Sequence, residues 1–318
     1  MNWRPAASTI LFNKALRNVL MLRRGPTAKF MPNLYVFPGG VIEDTVDQLF
    51  PVEKTNFDKL RDEPIGMEGH KSDYPFRVAA LRELFEETGI LFVTDRRSKK
   101  RVVLTTVKDG KLDGWRRKIR ANPSKFSELF TDFNLDLEAL KPWSNWLTPV
   151  TFKHRYDTLF FVIPVDDEIE VQMCDKEMSE WLWITPREIL ERNCQSETGL
   201  LPPPQYCELM RLLNTRFNRL SAMCNPHRLC PQVIFSKENP DKIYEVLPGD
   251  NLYIPENAAH VRPRTMSEAD ISKSEVTDAI IHRMTYYEPS FFKLQLHIKN
   301  VDKDPERIRL FHIERTVC

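Results

Sequence analysis

Residues 81–90 read Leu81-Arg82-Glu83-Leu84-Phe85-Glu86-Glu87-Thr88-Gly89-Ile90, and the spacing of the three carboxylates decides how the chain is read. On a helix turning about 100° per residue, Glu86 and Glu87 lie about 60° and about 40° round the axis from Glu83. The three groups share one narrow face at the spacing where helical side chains meet, and without a counter-charge they repel one another. A hard divalent cation, Mg2+ or Mn2+, resolves that repulsion. It takes oxygen ligands and keeps positions open for water and phosphate. Arg82, one turn before Glu86, forms an i, i+4 pair with it. Leu84, Ala80 and Ile90 supply apolar packing, and Thr88-Gly89 is a helix stop, so a helix is predicted over about 75–88.

Upstream, Phe37-Pro38-Gly39-Gly40 follows the apolar run Leu34-Tyr35-Val36 and precedes Val41-Ile42-Glu43. Paired glycines let a backbone approach a ligand or metal closely, so a carbonyl of Gly39 or Gly40 is a candidate for a cation's sphere. Together the two stretches resemble the signature of the Nudix hydrolases, Gly-x5-Glu-x7-Arg-Glu-U-x-Glu-Glu-x-Gly-U, where U is a bulky aliphatic residue. The match is complete from Arg82 to Ile90. Before that it is broken: the glycines stand about 40 residues ahead of Arg82, and Tyr74 occupies the place of the first motif Glu, with Asp73 beside it. An insertion over about 45–72 splits the box, and we expect a surface excursion there, because long loops add little closure entropy. A split box resembles the acyl-coenzyme A diphosphatase subgroup of the family. Met31-Pro32, Trp146-Leu147-Thr148-Pro149, Arg155-Tyr156-Asp157-Thr158, Leu201-Pro202-Pro203-Pro204-Gln205 and Leu247-Pro248-Gly249-Asp250 extend the resemblance over most of residues 3–255.

The resemblance implies an α/β fold, the Nudix α/β/α sandwich around a mixed sheet, with the insertion inside the box and a C-terminal α+β extension. The Nudix hydrolase domain is expected over 3–200 and the helix and strand-rich extension over 201–318. It implies divalent-metal-dependent hydrolysis of the diphosphate linkage of (acyl-)coenzyme A to 3',5'-ADP and (acyl-)4'-phosphopantetheine. Matching positions make Glu83, Glu86 and Glu87 the metal ligands, with Glu83 and Glu86 also counted as catalytic. Glu177, six residues before Trp183, is a second-choice catalytic group, read otherwise as a solvated loop carboxylate. Coenzyme A-cleaving members carry two Arg and a Gly ahead of the glycine pair. Here Arg24 fills the first Arg place, Lys29 stands at the second and Asn33 at the Gly. Lys is not equivalent to Arg for bidentate phosphate contacts. Arg24, Lys29, Gly39 and Gly40 are the substrate-binding candidates. The alternatives are a Nudix diphosphatase acting on ADP-ribose, dinucleotides or capped RNA, and an inactive nucleotide-binding module, which the intact carboxylates argue against.

Composition bounds the remaining classes. The 318-residue chain carries 46 basic and 45 acidic residues, so no global field points to nucleic acid or an anionic membrane. No apolar run reaches the length of a bilayer span. The start, Met1-Asn2-Trp3-Arg4-Pro5, passes straight into a strand-like run, and the end, Arg315-Thr316-Val317-Cys318, lacks a Ser-Lys-Leu type address. An intracellular, cytoplasmic enzyme acting on a small nucleotide is expected, with a mitochondrial or peroxisomal site and a homo-oligomer left open. Six cysteines without Cys-x-x-Cys spacing read as free thiols in a reducing compartment. The pair Cys224 and Cys230 lacks the further ligands that zinc needs.

Strands are expected at about 7–12, 18–23, 101–107, 158–163 and 180–184, and in 231–254 and 279–314. Helix is expected over 113–140 with a break at Asn122-Pro123, after Pro186, and beyond Pro202-Pro203-Pro204, where Leu209, Leu213, Phe217 and Leu220 share a face. The polar run 267–274 reads as a loop.

Overall fold

The computed structural model describes residues 3–60, 70–173, 178–214 and 227–300. Strand β1 (Arg4–Asn13) shows how the sheet is buried on both faces. Ile10 and Phe12 enter one apolar cluster, while Ala7 and Leu11 enter another. Successive side chains of a strand point to opposite faces, so alternating membership means cover on both sides. Asn13 ends the strand, its side chain accepting from the amides of Ala15 and Leu16, and β2 (Val19–Arg24) returns antiparallel. β3 (Tyr35–Val36) and β4 (Gly39–Val41) carry the glycine pair, and β4 lies antiparallel to β1.

Next in chain order come α1 (Tyr74–Thr88), β5 (Ile90–Asp95), β6 (Arg101–Thr105), α2 (Gly110–Ala121), β7 (Phe133–Leu135), β8 (Lys141–Leu147) and β9 (Tyr156–Val165). β10 (Met178–Ile184), α3 (Pro186–Gln195), α4 (Pro203–Asn214) and β11 (Arg228–Leu229) follow. Strand order in the main sheet is β10-β2-β1-β9-β8-β11, with β3 beside β2 and β4 beside β1. β1 and β9 are parallel over their whole length and most other pairs are antiparallel, which makes the sheet mixed, as expected. The buried face of α1 packs on one side of this sheet, and α3 and α4 on the other. That is an α/β/α sandwich. β5, β6 and β7 form a separate small sheet.

The C-terminal part contains β12 (Gln232–Ser236), β13 (Lys242–Val246), β14 (Arg264–Met266), α5 (Glu268–Lys273), β15 (Ile281–Tyr287) and β16 (Phe292–Lys299), with strand order β14-β12-β13-β15-β16. Val233, Ile243, Met284 and Leu294 from this second sheet belong to the same apolar cluster as Ile10, Tyr206 and Leu209. Glu208 on α4 accepts from Trp143 Nε1 at 2.5 Å, Ser144 Oγ at 2.7 Å and Trp146 Nε1 at 2.6 Å, and pairs with Arg211 at 2.7 Å. This fully buried network fixes α4 against β8. Among the described residues no helix is long and apolar enough to cross a membrane.

Four expectations need correction. The described part of the insertion is packed, because it carries apolar groups that the loop-length argument ignored. Phe50 stacks at 5.6 Å on Phe126 and 5.5 Å on Phe130, and Val46 and Leu60 are buried. The polar run 267–274 contains α5, nucleated by Ser267, whose side chain accepts from the Asp270 amide, and by acidic groups in the first turn. Residues 133–135 are a strand paired with β5 rather than helix. Cys207 is a free thiol, but Cys194 is disulfide-bonded, a tertiary pairing that sequence spacing does not disclose. Phe217, Leu220, Cys174, Cys224 and the chain beyond residue 300 lie outside the described residues.

Candidate active site

Helix α1 begins after Asp73 with Pro75 in its first turn and stops at Gly89, which adopts φ 76°. Only a residue without Cβ takes that left-handed geometry at low cost, so Thr88-Gly89 ends the helix where expected. Asp73 does not reach the site. It pairs with Arg77 at 2.6 Å, and Arg77 also donates to the carbonyls of Leu137 and Leu140.

Arg82, 1% exposed, is the centre of the charged cluster. Its Nη1 donates to Glu83 Oε1 at 2.8 Å and to Glu86 Oε1 at 2.9 Å, and its Nη2 to the carbonyl of Val41 at 3.1 Å. The remaining edge of the guanidinium makes a bidentate pair with Asp47, both distances being 2.9 Å. Asp47 is 0% exposed, and its Oδ2 also accepts from the amide of Glu43 at 2.8 Å. Sequence reasoning missed Asp47 because it assigned residues 45–72 to a surface loop. The available signal was an acidic residue shortly after the glycines, close to where the uninterrupted box carries its first Glu.

The three carboxylates do not share one partner in this arrangement. Glu83 and Glu86 turn to Arg82, while Glu87, 4% exposed, accepts from the amide of Gly39 at 3.0 Å. Among the described residues no three acidic, His or Cys groups already stand in metal-binding geometry. The donor set nevertheless suits a hard cation. Burial pushes the Glu83 carboxyl up to about 7 despite Arg82, with Glu86 and Asp47 adding to the rise. Burial also raises Glu86, again against Arg82, with Glu43 and Asp47 contributing. One guanidinium thus leaves this all-oxygen cluster short of positive charge, the deficit that Mg2+ or Mn2+ fills. Gly40 lies against the same group: a Cβ there would stand 2.4 Å from the Glu83 carboxyl carbon.

A cavity of about 300 Å³ opens beside these residues. Glu83, Glu87, Gly39, Gly40 and Arg24 line it, with Phe30, Met31, Phe37, Trp146, Phe152 and Phe160 forming apolar walls. The Nε of Arg24 is buried without a hydrogen-bond partner, although the residue lines the cavity. Lys29 is exposed and outside the lining, although its neighbours Phe30 and Met31 belong to it. Glu86 stands behind Arg82, also outside the lining. Glu177 lies outside the described residues.

Comparison with known proteins places this geometry in a family. The model of the NUDT19 Nudix domain matches residues 44–212, more than half the chain. The chain is a Nudix hydrolase. A Caenorhabditis elegans protein named "Putative nudix hydrolase 7" is 38% identical over 299 residues, covering 93% of this chain and 90% of the relative. "Acyl-coenzyme A diphosphatase NUDT19" of Xenopus laevis is 32% identical, covering 74% of this chain and 71% of that protein, and the Homo sapiens protein of the same name is 30% identical, covering 88% and 84%. The Nudix hydrolase of Alicyclobacillus acidocaldarius has the same fold, at a TM-score of 0.56 and 23% identity over 68% of this chain and 93% of its own. Nudix hydrolases act on nucleotide diphosphates with divalent metals, and this member carries that activity with an interrupted box.

Proposed function

We propose that this Nudix hydrolase splits the diphosphate linkage of coenzyme A and acyl-coenzyme A, releasing 3',5'-ADP and (acyl-)4'-phosphopantetheine. The observation that carries the reading is the cavity's lining, in which Arg24, Glu83 and Glu87 share one space with many aromatic and apolar side chains. Such a lining suits a diphosphate joined to a long, uncharged arm. The names of the relatives point to the same substrate. A divalent cation held by Glu83, Glu87 and, from behind, Glu86 would neutralise phosphoryl charge and make water there more acidic.

The chain's own groups prepare that site. Arg82 holds Glu83 and Glu86 on one side of the helix, and the Gly39 amide fixes the direction of Glu87. The Arg24 guanidinium, which lines the cavity, donates to a phosphoryl oxygen, a charge-assisted contact stronger than a neutral one. Glu177 is the proposed proton acceptor, and Lys29 a peripheral contact for the 3'-phosphate.

Steady-state kinetics with coenzyme A, acetyl-coenzyme A, ADP-ribose and cap analogue, with and without Mg2+, test the reading. Metal-dependent release of 3',5'-ADP, with coenzyme A preferred over ADP-ribose, is expected; the reverse preference assigns the enzyme to another diphosphate. Arg24→Ala should lower kcat/KM for coenzyme A about tenfold or more, the loss of a charged hydrogen bond. Lys29→Ala should cost about threefold or less, as exposed charges do. Equal effects of the two substitutions would dismiss Arg24 as the main phosphate contact.

A further inference from the structure

The cavity does not end in the Nudix sandwich. Two residues of the C-terminal sheet line it as well: Glu245 on β13 and Phe291 between β15 and β16. Glu245 is 2% exposed, and its Oε1 accepts from the Tyr286 hydroxyl at 2.9 Å. That is its one hydrogen bond among the described residues, and no Lys, Arg or His pairs with it. Burial lifts its carboxyl to about 7, Tyr286 opposing and Glu288 adding to the rise. Cys207, close enough for Glu245 to raise its thiol, brings no positive charge.

A carboxyl in this position is costly, since burying an uncompensated charge is among the most unfavourable substitutions a wall can carry. A leucine or glutamine would close the cavity at less expense to the fold. Met31 and Phe152 add apolar wall to the same space, and Arg24 is the one cationic residue among its described lining, against the three carboxyls of Glu83, Glu87 and Glu245.

We propose that Glu245 is a specificity-determining residue that reads the substrate arm from the cavity wall. It accepts a hydrogen bond from a neutral N–H or S–H donor and disfavours arms that end in a carboxylate. The second sheet is then part of the substrate site. The inference rests on the coenzyme A reading above, in which the diphosphate lies at Glu83 and Glu87 and the pantetheine arm runs along the apolar walls.

The test compares kcat/KM for acetyl-coenzyme A, succinyl-coenzyme A and the neutral methyl ester of the latter, at about pH 8.5, where Glu245 is ionised. Wild type should favour the ester over the acid by about tenfold or more, because like charges in a dry pocket discriminate strongly. Glu245→Gln should bring that ratio within about threefold, while Tyr286→Phe, which leaves the charge in place, should preserve it. Equal wild-type rates for ester and acid overturn the proposal, and so does an unchanged ratio in Glu245→Gln. Should that variant fail to fold, the wild-type comparison of ester with acid decides alone. Turnover of neither acyl-coenzyme A nor coenzyme A, with ADP-ribose still cleaved, overturns the function and this inference together.

Discussion

Arg82 shows how much of the site depends on one buried guanidinium. Its bidentate partner Asp47 comes from the insertion, so the stretch that interrupts the box in sequence contributes to its charged cluster in space. Breaking a buried ion pair on one side leaves the other charge uncompensated. Asp47→Ala should therefore lower stability by about 3 kcal/mol. Asp47→Asn, which keeps one acceptor, should cost less. Urea midpoints check both, and equal losses would show that charge is not what Asp47 supplies. Glu87→Gln keeps a carbonyl for the Gly39 amide and should fold normally. Its turnover should fall at least about 100-fold, the upper end of what losing an outer partner costs a metal site. Mg2+ should also raise its melting temperature less than that of wild type. Near-wild-type rates at low Mg2+ would remove Glu87 from the ligand set. The three glutamates were legible because helical periodicity is local. Asp47 was not, because its partner lies 35 residues away and an intervening segment had been read as loop.

At the scale of elements, β4 supports the site with two glycines that serve different neighbours. A Cβ on Gly39 would stand 2.3 Å from the Ala7 carbonyl oxygen, which is backbone of β1, whereas a Cβ on Gly40 would first meet the Glu83 side chain. Gly39→Ala should thus destabilise the fold by about 1–3 kcal/mol, as overpacking does. Gly40→Ala should leave stability within about 1 kcal/mol while displacing Glu83, and turnover should drop roughly a hundredfold. Thermal melts and kcat measured side by side distinguish the two; a stability loss in Gly40→Ala as large as in Gly39→Ala would refute the division. Legibility at this scale followed the strength of local signals. Thr185, Pro186 and Glu188 form a capping box that starts α3, and the Pro was readable in the sequence. β7 has three residues and exists by pairing with β5 and bridging to Thr55, so nothing local announced it.

The whole molecule joins two sheets through one apolar cluster, and that arrangement makes Glu245 a reporter of pH. Its folded carboxyl titrates at about 7 against an ordinary 4.5, so the native state binds the extra proton between those values. Stability from this group is full below the lower value and is lost as pH rises through the upper one, by roughly 3 kcal/mol in total. Glu245→Gln should match wild type at about pH 5 and exceed it at about pH 8 in urea midpoint. Parallel pH profiles for the two proteins would show that Glu245 is not the titrating group. The sandwich was legible from the box and its flanking motifs. The union of the sheets was not, since periodicity names a buried face without naming its partner. The parallel pairing of β1 with β9 has a consequence for biosynthesis. Arg4 aligns with Tyr156, so once β1 is made, about 150 further residues must follow before its parallel partner β9 exists, although β2 and β4 pair with it sooner. At roughly 5–20 residues per second that wait is about 8–30 s. For that interval the apolar residues of β1 depend on the nascent chain's other contacts, or on a chaperone, to stay out of aggregates.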